Sequence, residues 1–227
     1  MHHELQVLPD PDAVAEAGAH YVREQARSAV SDHQSFHFAV SGGRTPWAMF
    51  AMLARLDLPW SAVTIYQVDE RVAPPNDPDR NLVHLRASLG TTGADIRPMP
   101  VEGPDLDADA ADYAAELPDQ FDLVHLGLGP DGHTASLVPD DPVLAVNDRL
   151  VAPTGSVYQD RRRMTLTYPA LARANQLLWL VTGADKRDAV ARLLQGDKAI
   201  PAAHVIARAS LVLADEEAAA TSPGRPR

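Results

Sequence analysis

An acid and an imidazole two residues apart, Asp131 and His133, stand in the stretch Gly127-Leu128-Gly129-Pro130-Asp131-Gly132-His133-Thr134-Ala135-Ser136. Imidazole titrates near neutrality, with an ordinary pKa of about 6.5, so a neighbouring carboxylate equips it to take a proton from water or a hydroxyl. Glycines and a proline spaced this closely cannot continue a strand, so the chain must turn there and expose both groups. A plain surface turn containing a histidine has the same look. The second stretch is Ser41-Gly42-Gly43-Arg44-Thr45-Pro46. Its glycines free backbone N–H groups, a following helix adds the positive end of its dipole, and Ser41 and Thr45 bring hydroxyls, which together suit a phosphate. A tight turn with a helix start is the simpler alternative, since proline suits the first helical turn. The pattern is neither the P-loop nor GxGxxG, so a nucleotide is not indicated.

Three further groups of charge fall near element ends. Asp69-Glu70-Arg71 closes an apolar run, where one side chain can enter a pocket as acid, base or clamp while another forms an ion pair; a solvated strand end has the same composition. Arg161-Arg162-Arg163 precede an extended segment, and arginine's forked donors can reach a ligand phosphate. Lys186 is expected in the first turn of a helix, where a cation is unfavourable for the helix itself and so hints at a ligand. His2 and His3 read as a flexible end, and the other histidines lack a spacing such as HExxH, so no metal site is expected.

The elements that must position these residues alternate. Strands are predicted at 4–8, 36–40, 63–68, 99–101, 121–126, 149–152, 177–181 and 210–213, with 164–167 extended. Helices are predicted at 12–30, after Pro46 with Trp47, Phe50 and Leu53 as core, and at 81–89, 106–117 and 185–195. Such alternation implies an α/β, Rossmann-like domain whose mainly parallel sheet is covered by helices on both faces. In open sheets of this kind ligands bind beyond the carboxyl ends of the strands, so the turns after Val40, Val68 and Leu126 are expected to share one pocket. No linker or composition shift divides the chain, so a single domain over 1–220 is expected, with 221–227 as a flexible tail.

The chain has 227 residues and a formal net charge of -11, which opposes binding to nucleic acid or an anionic membrane but not to a small anion held by local cations. With no cysteine, thiol nucleophiles, disulfides and Cys-ligated metals are excluded. The first residues lack the basic and apolar regions of a signal peptide, and no apolar run approaches the ~20 residues of a membrane span. A cytoplasmic protein, monomeric or weakly homo-oligomeric, is expected.

Taken in order, Ser41 to Pro46, Asp69-Glu70-Arg71 with Pro74 and Asn81, Gly127 to Ser136, Arg163-Met164-Thr165-Leu166-Thr167, and Thr182-Gly183 with Lys186 resemble the 6-phosphogluconolactonase family over roughly residues 36–213. The resemblance implies a three-layer α/β fold shared with glucosamine-6-phosphate deaminase/isomerase and ribose-5-phosphate isomerase. It also implies hydrolysis of 6-phospho-D-glucono-1,5-lactone without a cofactor. On that reading His133 is the general base, Asp131 orients it, and Arg71 faces the developing oxyanion or positions the lactone ring. The 6-phosphate would meet Ser41, Gly42, Gly43, Arg44, Thr45, Arg163 and Lys186, and Asp69 would contact sugar hydroxyls or tune Arg71. Arg44 is often a smaller residue in the family, and the choice between Arg162 and Arg163 stays open, with Arg163 fitting the motif better. In the deaminase branch an Asn-Glu-Pro sequence follows the histidine turn; here Leu137-Val138-Pro139 stands there, and valine cannot transfer a proton. An isomerase or deaminase and a non-catalytic sugar-phosphate sensor are the alternatives.

Overall fold

The computed structural model describes residues 2–220; the predicted tail at 221–227 lies outside them. Among the described residues, ten strands and seven α-helices follow one another in the order β1 (Glu4–Leu8), α1 (Pro11–His33), β2 (Phe36–Val40), α2 (Arg44–Leu53), β3 (Val63–Gln67), β4 (Asp69–Arg71), α3 (Asn81–Leu89), β5 (Asp95–Arg97), α4 (Leu106–Glu116), β6 (Phe121–Leu126), β7 (Val151–Pro153), β8 (Arg163–Leu166), α5 (Tyr168–Leu171), β9 (Ala174–Val181), α6 (Arg187–Gln195), β10 (Ala209–Asp215) and α7 (Glu216–Ala219).

Local chemistry explains the longest of these. Asp10 caps α1 by accepting from the Ala13 N–H at 2.8 Å, Pro11 occupies the first turn, and Gln34 ends the helix in the left-handed region at φ 66°. Its buried positions, Val14, Ala15, Gly18, Ala19, Val22 and Ala26, recur every three or four residues, so one stripe faces inward.

That stripe packs with α2 and α3 on one face of a seven-stranded, wholly parallel sheet ordered β1-β10-β9-β6-β2-β3-β5. α4, α5, α6 and α7 cover the other face. Alternation along single strands divides the two cores. Leu178 and Leu180 of β9 point to the α1 side, while Leu177, Trp179 and Val181 point to the other.

The chain leaves β2 toward β3 in one direction and leaves β6 toward β9 in the other. Neighbouring strands whose connections diverge open a crevice beyond their carboxyl ends. Asp69-Glu70-Arg71 is a strand in its own right. It pairs antiparallel with β8, which pairs antiparallel with β7, and this small second sheet lies at the crevice and was not foreseen. Three-residue strands carry too little alternation to be read from sequence.

Two other expectations are corrected. The strand after α3 is Asp95–Arg97, not 99–101; Met99 and Val101 are buried, but the Met99 N–H donates to the Gln67 side chain at 2.9 Å and joins no ladder. The helix expected from 185 begins at Arg187, and Lys186 ends a short 3-10 turn, Ala184–Lys186, at its cap.

Candidate active site

The loops after β2, β4, β6 and β9 and the hairpin between β7 and β8 enclose an open cleft of about 610 Å³. Every candidate except Asp131 lines it: Ser41, Gly42, Gly43, Arg44, Thr45, Asp69, Arg71, His133, Arg163 and Lys186. Asp131 sits behind His133 and contacts it.

The turn after β6 is closed by hydrogen bonds from the Gly129 N–H to the His133 carbonyl at 2.8 Å and from the Gly132 N–H to the Gly129 carbonyl at 3.0 Å. His133 Nδ1 lies 2.6 Å from Asp131 Oδ1, and the His133 N–H donates to the same oxygen at 3.1 Å. Nδ1 is therefore engaged by the carboxylate, and Nε2 is the nitrogen left for proton transfer. Gly129 is required by close approach, because a Cβ there would overlap the imidazole at Nδ1. Partial burial works to raise the Asp131 pKa, but the hydrogen bonds and charge of His133 outweigh it and hold the carboxyl down at about 2.

α2 begins at Arg44 with Gly43 as its cap at φ 129° and no side-chain cap. The N–H groups of Arg44 and Thr45 therefore have no intrahelical acceptor and open onto the cleft, where Arg44 is exposed. Thr45 and Thr182 share a hydroxyl hydrogen bond at 2.8 Å, joining α2 to the end of β9. Nearby, Lys186 Nζ lies 3.2 Å from Asp185.

The charged triplet divides its labour. Glu70 is fully buried and accepts from the N–H groups of Arg71, Asn81 and Leu82 at 2.8, 2.8 and 2.9 Å, while Arg80 Nε lies 3.2 Å away. It ties β4 to the start of α3. Asp69 and Arg71 face the cleft instead. Asp69 accepts from Ser136 Oγ at 2.7 Å and lies 3.8 Å from Arg163 Nη1. Of the three consecutive arginines, Arg161 pairs with Asp77 and Asp79 at 3.0 and 3.1 Å, Arg162 is exposed, and Arg163 is buried at the cleft wall. Burial lowers the Arg163 pKa while Asp69 pulls it up.

Ser41 Oγ, Arg71 Nε and Asn81 Oδ1 are buried here without a hydrogen-bond partner among the described residues. Buried polar atoms are nearly always satisfied, so these three leave hydrogen-bonding capacity in the cleft for a polar ligand or ordered water. Among the described residues no group of three or more His, Asp or Glu side chains is placed to hold a metal ion.

Sequence reasoning missed Tyr158, Gln159 and Trp47 as cleft residues, and it quoted Thr182 in a motif without giving it a role of its own. Trp47, expected in the core, stacks on His84 with ring centroids 4.0 Å apart. Helical spacing identified its inward face, but that face borders the cleft. Tyr158 and Gln159 lie in an irregular stretch whose pattern carried no signal.

Residues 9–213 match the family described as glucosamine-6-phosphate isomerases/6-phosphogluconolactonase. The chain belongs to this family. Within it, the chain is 34% identical over 204 residues to a 6-phosphogluconolactonase of Synechocystis sp., covering 84% of each chain. It is 32% identical to the 6-phosphogluconolactonase of Mycobacterium tuberculosis, over 98% of this chain and 100% of that one. Its fold superposes on the crystal structure of 6-phosphogluconolactonase from Thermotoga maritima with a TM-score of 0.85, at 25% identity over 94% of this chain and 100% of that one. The three-layer α/β architecture expected from the sequence is thus the architecture of the glucosamine-6-phosphate isomerase/6-phosphogluconolactonase family.

Proposed function

We propose that the protein hydrolyses 6-phospho-D-glucono-1,5-lactone to 6-phospho-D-gluconate, the second step of the oxidative pentose phosphate pathway. The observation that carries this reading is the imidazole of His133, held by Asp131, in the same cleft as the open amino end of α2. One part suits an anionic tail and the other an ester carbon.

A lactone is an activated ester, so a positioned base and an oxyanion partner suffice. His133 Nε2 takes a proton from water as the water oxygen bonds to the lactone carbonyl carbon, and Asp131 favours the imidazolium that forms. Arg71, with its Nε unpartnered in the cleft, stabilises the oxyanion. When the tetrahedral intermediate collapses, the bond from that carbon to the ring oxygen breaks, and the imidazolium returns its proton to the leaving oxygen. Ser41, Gly42, Gly43, Thr45 and Lys186 hold the 6-phosphate, joined by Arg163 and Arg44. Asp69 accepts from sugar hydroxyls and keeps Arg163 in place.

The substrate is thus a sugar phosphate lactone, and no nucleic acid or membrane partner is part of the reading. No helix among the described residues is long and apolar enough to cross a membrane. The proposal includes a cytoplasmic location, a monomer or weak homo-oligomer, and one folded domain.

Lactone hydrolysis, corrected for spontaneous ring opening, tests the function. Release of ammonia from glucosamine 6-phosphate instead would assign the deaminase activity that Val138 argues against, and tight sugar-phosphate binding without turnover would identify a sensor.

A further inference from the structure

Residues 154–162 join β7 to β8, and their tip is a two-residue turn. The Tyr158 N–H donates to the Arg161 carbonyl at 3.0 Å and the Arg161 N–H to the Tyr158 carbonyl at 3.3 Å. Gln159 and Asp160 between them have φ of 50° and 62°. Paired left-handed residues are what a tight hairpin needs, and glycine or asparagine adopts them at least cost. Here Gln and Asp do so, which makes the tip a set conformation with side chains that glycine would not supply.

Of the tip residues, Tyr158 and Gln159 line the cleft. Gln159 Oε1 accepts from Arg163 Nη2 at 3.0 Å. The Arg163 guanidinium carbon lies 5.2 Å from the centre of the Tyr158 ring, within range of a cation–π contact. The other side of the same residue meets the base: the Tyr158 and His133 rings are edge-to-face with centroids 5.2 Å apart, and the hydroxyl is 3.4 Å from His133 Nδ1 and within reach of the Asp131 carboxylate. Tyr158 thus touches both Arg163 and His133.

Building on the reading of the cleft as a lactonase site, we propose that Tyr158 is a positioning residue that sets the imidazole of His133 and the guanidinium of Arg163 relative to one another. Its ring fixes the arginine and its hydroxyl supports the Asp131–His133 pair. Burial and the Asp131 charge push the Tyr158 pKa up, so the hydroxyl stays protonated beside the Asp131–His133 pair. Two roles on one side chain predict two separable defects.

Tyr158→Phe keeps the ring and removes the hydroxyl; Tyr158→Leu removes both. With 6-phosphogluconolactone as substrate, Tyr158→Leu should raise KM about fivefold, the worth of a cation–π contact of ordinary strength. It should also lower kcat at least about tenfold through misorientation of the base. Tyr158→Phe should lower kcat about threefold with KM within twofold of the parent, since one hydrogen bond is lost and the ring remains. Calorimetric binding of 6-phosphogluconate should weaken in Tyr158→Leu and not in Tyr158→Phe, and it needs no turnover. A parent that binds 6-phosphogluconate yet leaves the lactone intact would therefore defeat the functional reading while calorimetry still decides this one. Equal affinity for 6-phosphogluconate in the parent and Tyr158→Leu, or equal affinity loss in the two variants, overturns the assignment. Should Tyr158→Leu not fold, an unchanged kcat in Tyr158→Phe overturns it alone.

Discussion

In the proposed reaction the weight of the chemistry rests on His133, and its geometry says what its loss should do. The imidazole is bound through Nδ1 to a carboxylate held well below the ordinary carboxylate range, so removing it takes away a proton acceptor and leaves the phosphate grip alone. His133→Ala should lower kcat by roughly 100- to 10,000-fold, the usual worth of a general base, while binding of 6-phosphogluconate changes little. A variant with more than half the parent turnover would exclude His133 as the base. Arg163 predicts the opposite division. A buried guanidinium that meets a phosphate contributes a charge-assisted hydrogen bond, so Arg163→Ala should raise KM by about 10- to 100-fold in steady-state assays.

Among the elements, the turn after β6 and the β4–α3 junction each allow a separate test. The close approach of Gly129 to the imidazole means that Gly129→Ala must displace the ring, which can swing because it is a side chain. Activity should therefore fall much more than stability, as seen by comparing kcat with the thermal midpoint. Glu70 is the reverse case. It was legible only as one of three charges at a strand end, yet it is the buried acceptor for three backbone N–H groups and the partner of Arg80. Glu70→Ala leaves Arg80 buried without that carboxylate and should cost about 3–5 kcal/mol in denaturant unfolding.

Across the whole molecule, β1 near one end of the chain pairs with β10 near the other, so separating the termini would unzip the edge of the large sheet. The proposed single domain should unfold in one transition, coincident by fluorescence and far-UV circular dichroism. Its acid sensitivity has an identifiable source besides the carboxylates. His125 is fully buried on β6, burial lowers its pKa to about 3, and its Nε2 has no partner among the described residues. The unfolded chain binds a proton below about pH 6.5 that the folded chain refuses until about pH 3, so this contribution is complete above 6.5 and declines as pH falls. One such group gives a slope of about 1.4 kcal/mol per pH unit, which His125→Phe should remove between pH 6 and 4.5. His3, whose pKa burial also lowers, would leave a slope of the same sign.

Strand and helix alternation, the glycine turns and the acid–imidazole pair were legible in the sequence because each is a local property: periodicity, permitted backbone angles, or residues two apart. The family resemblance pointed to Arg163 over Arg162, and pairing of β8 with β4 supplies the physical reason, turning Arg163 inward toward Asp69 and leaving Arg162 outside. Only the tertiary structure decided that Glu70 is a buried strut while Asp69 and Arg71 face the cleft. It alone brought Tyr158 against His133, 25 residues away, and Thr45 against Thr182, 137 residues away. Such contacts depend on which strands lie side by side, and nothing in a local pattern records strand order.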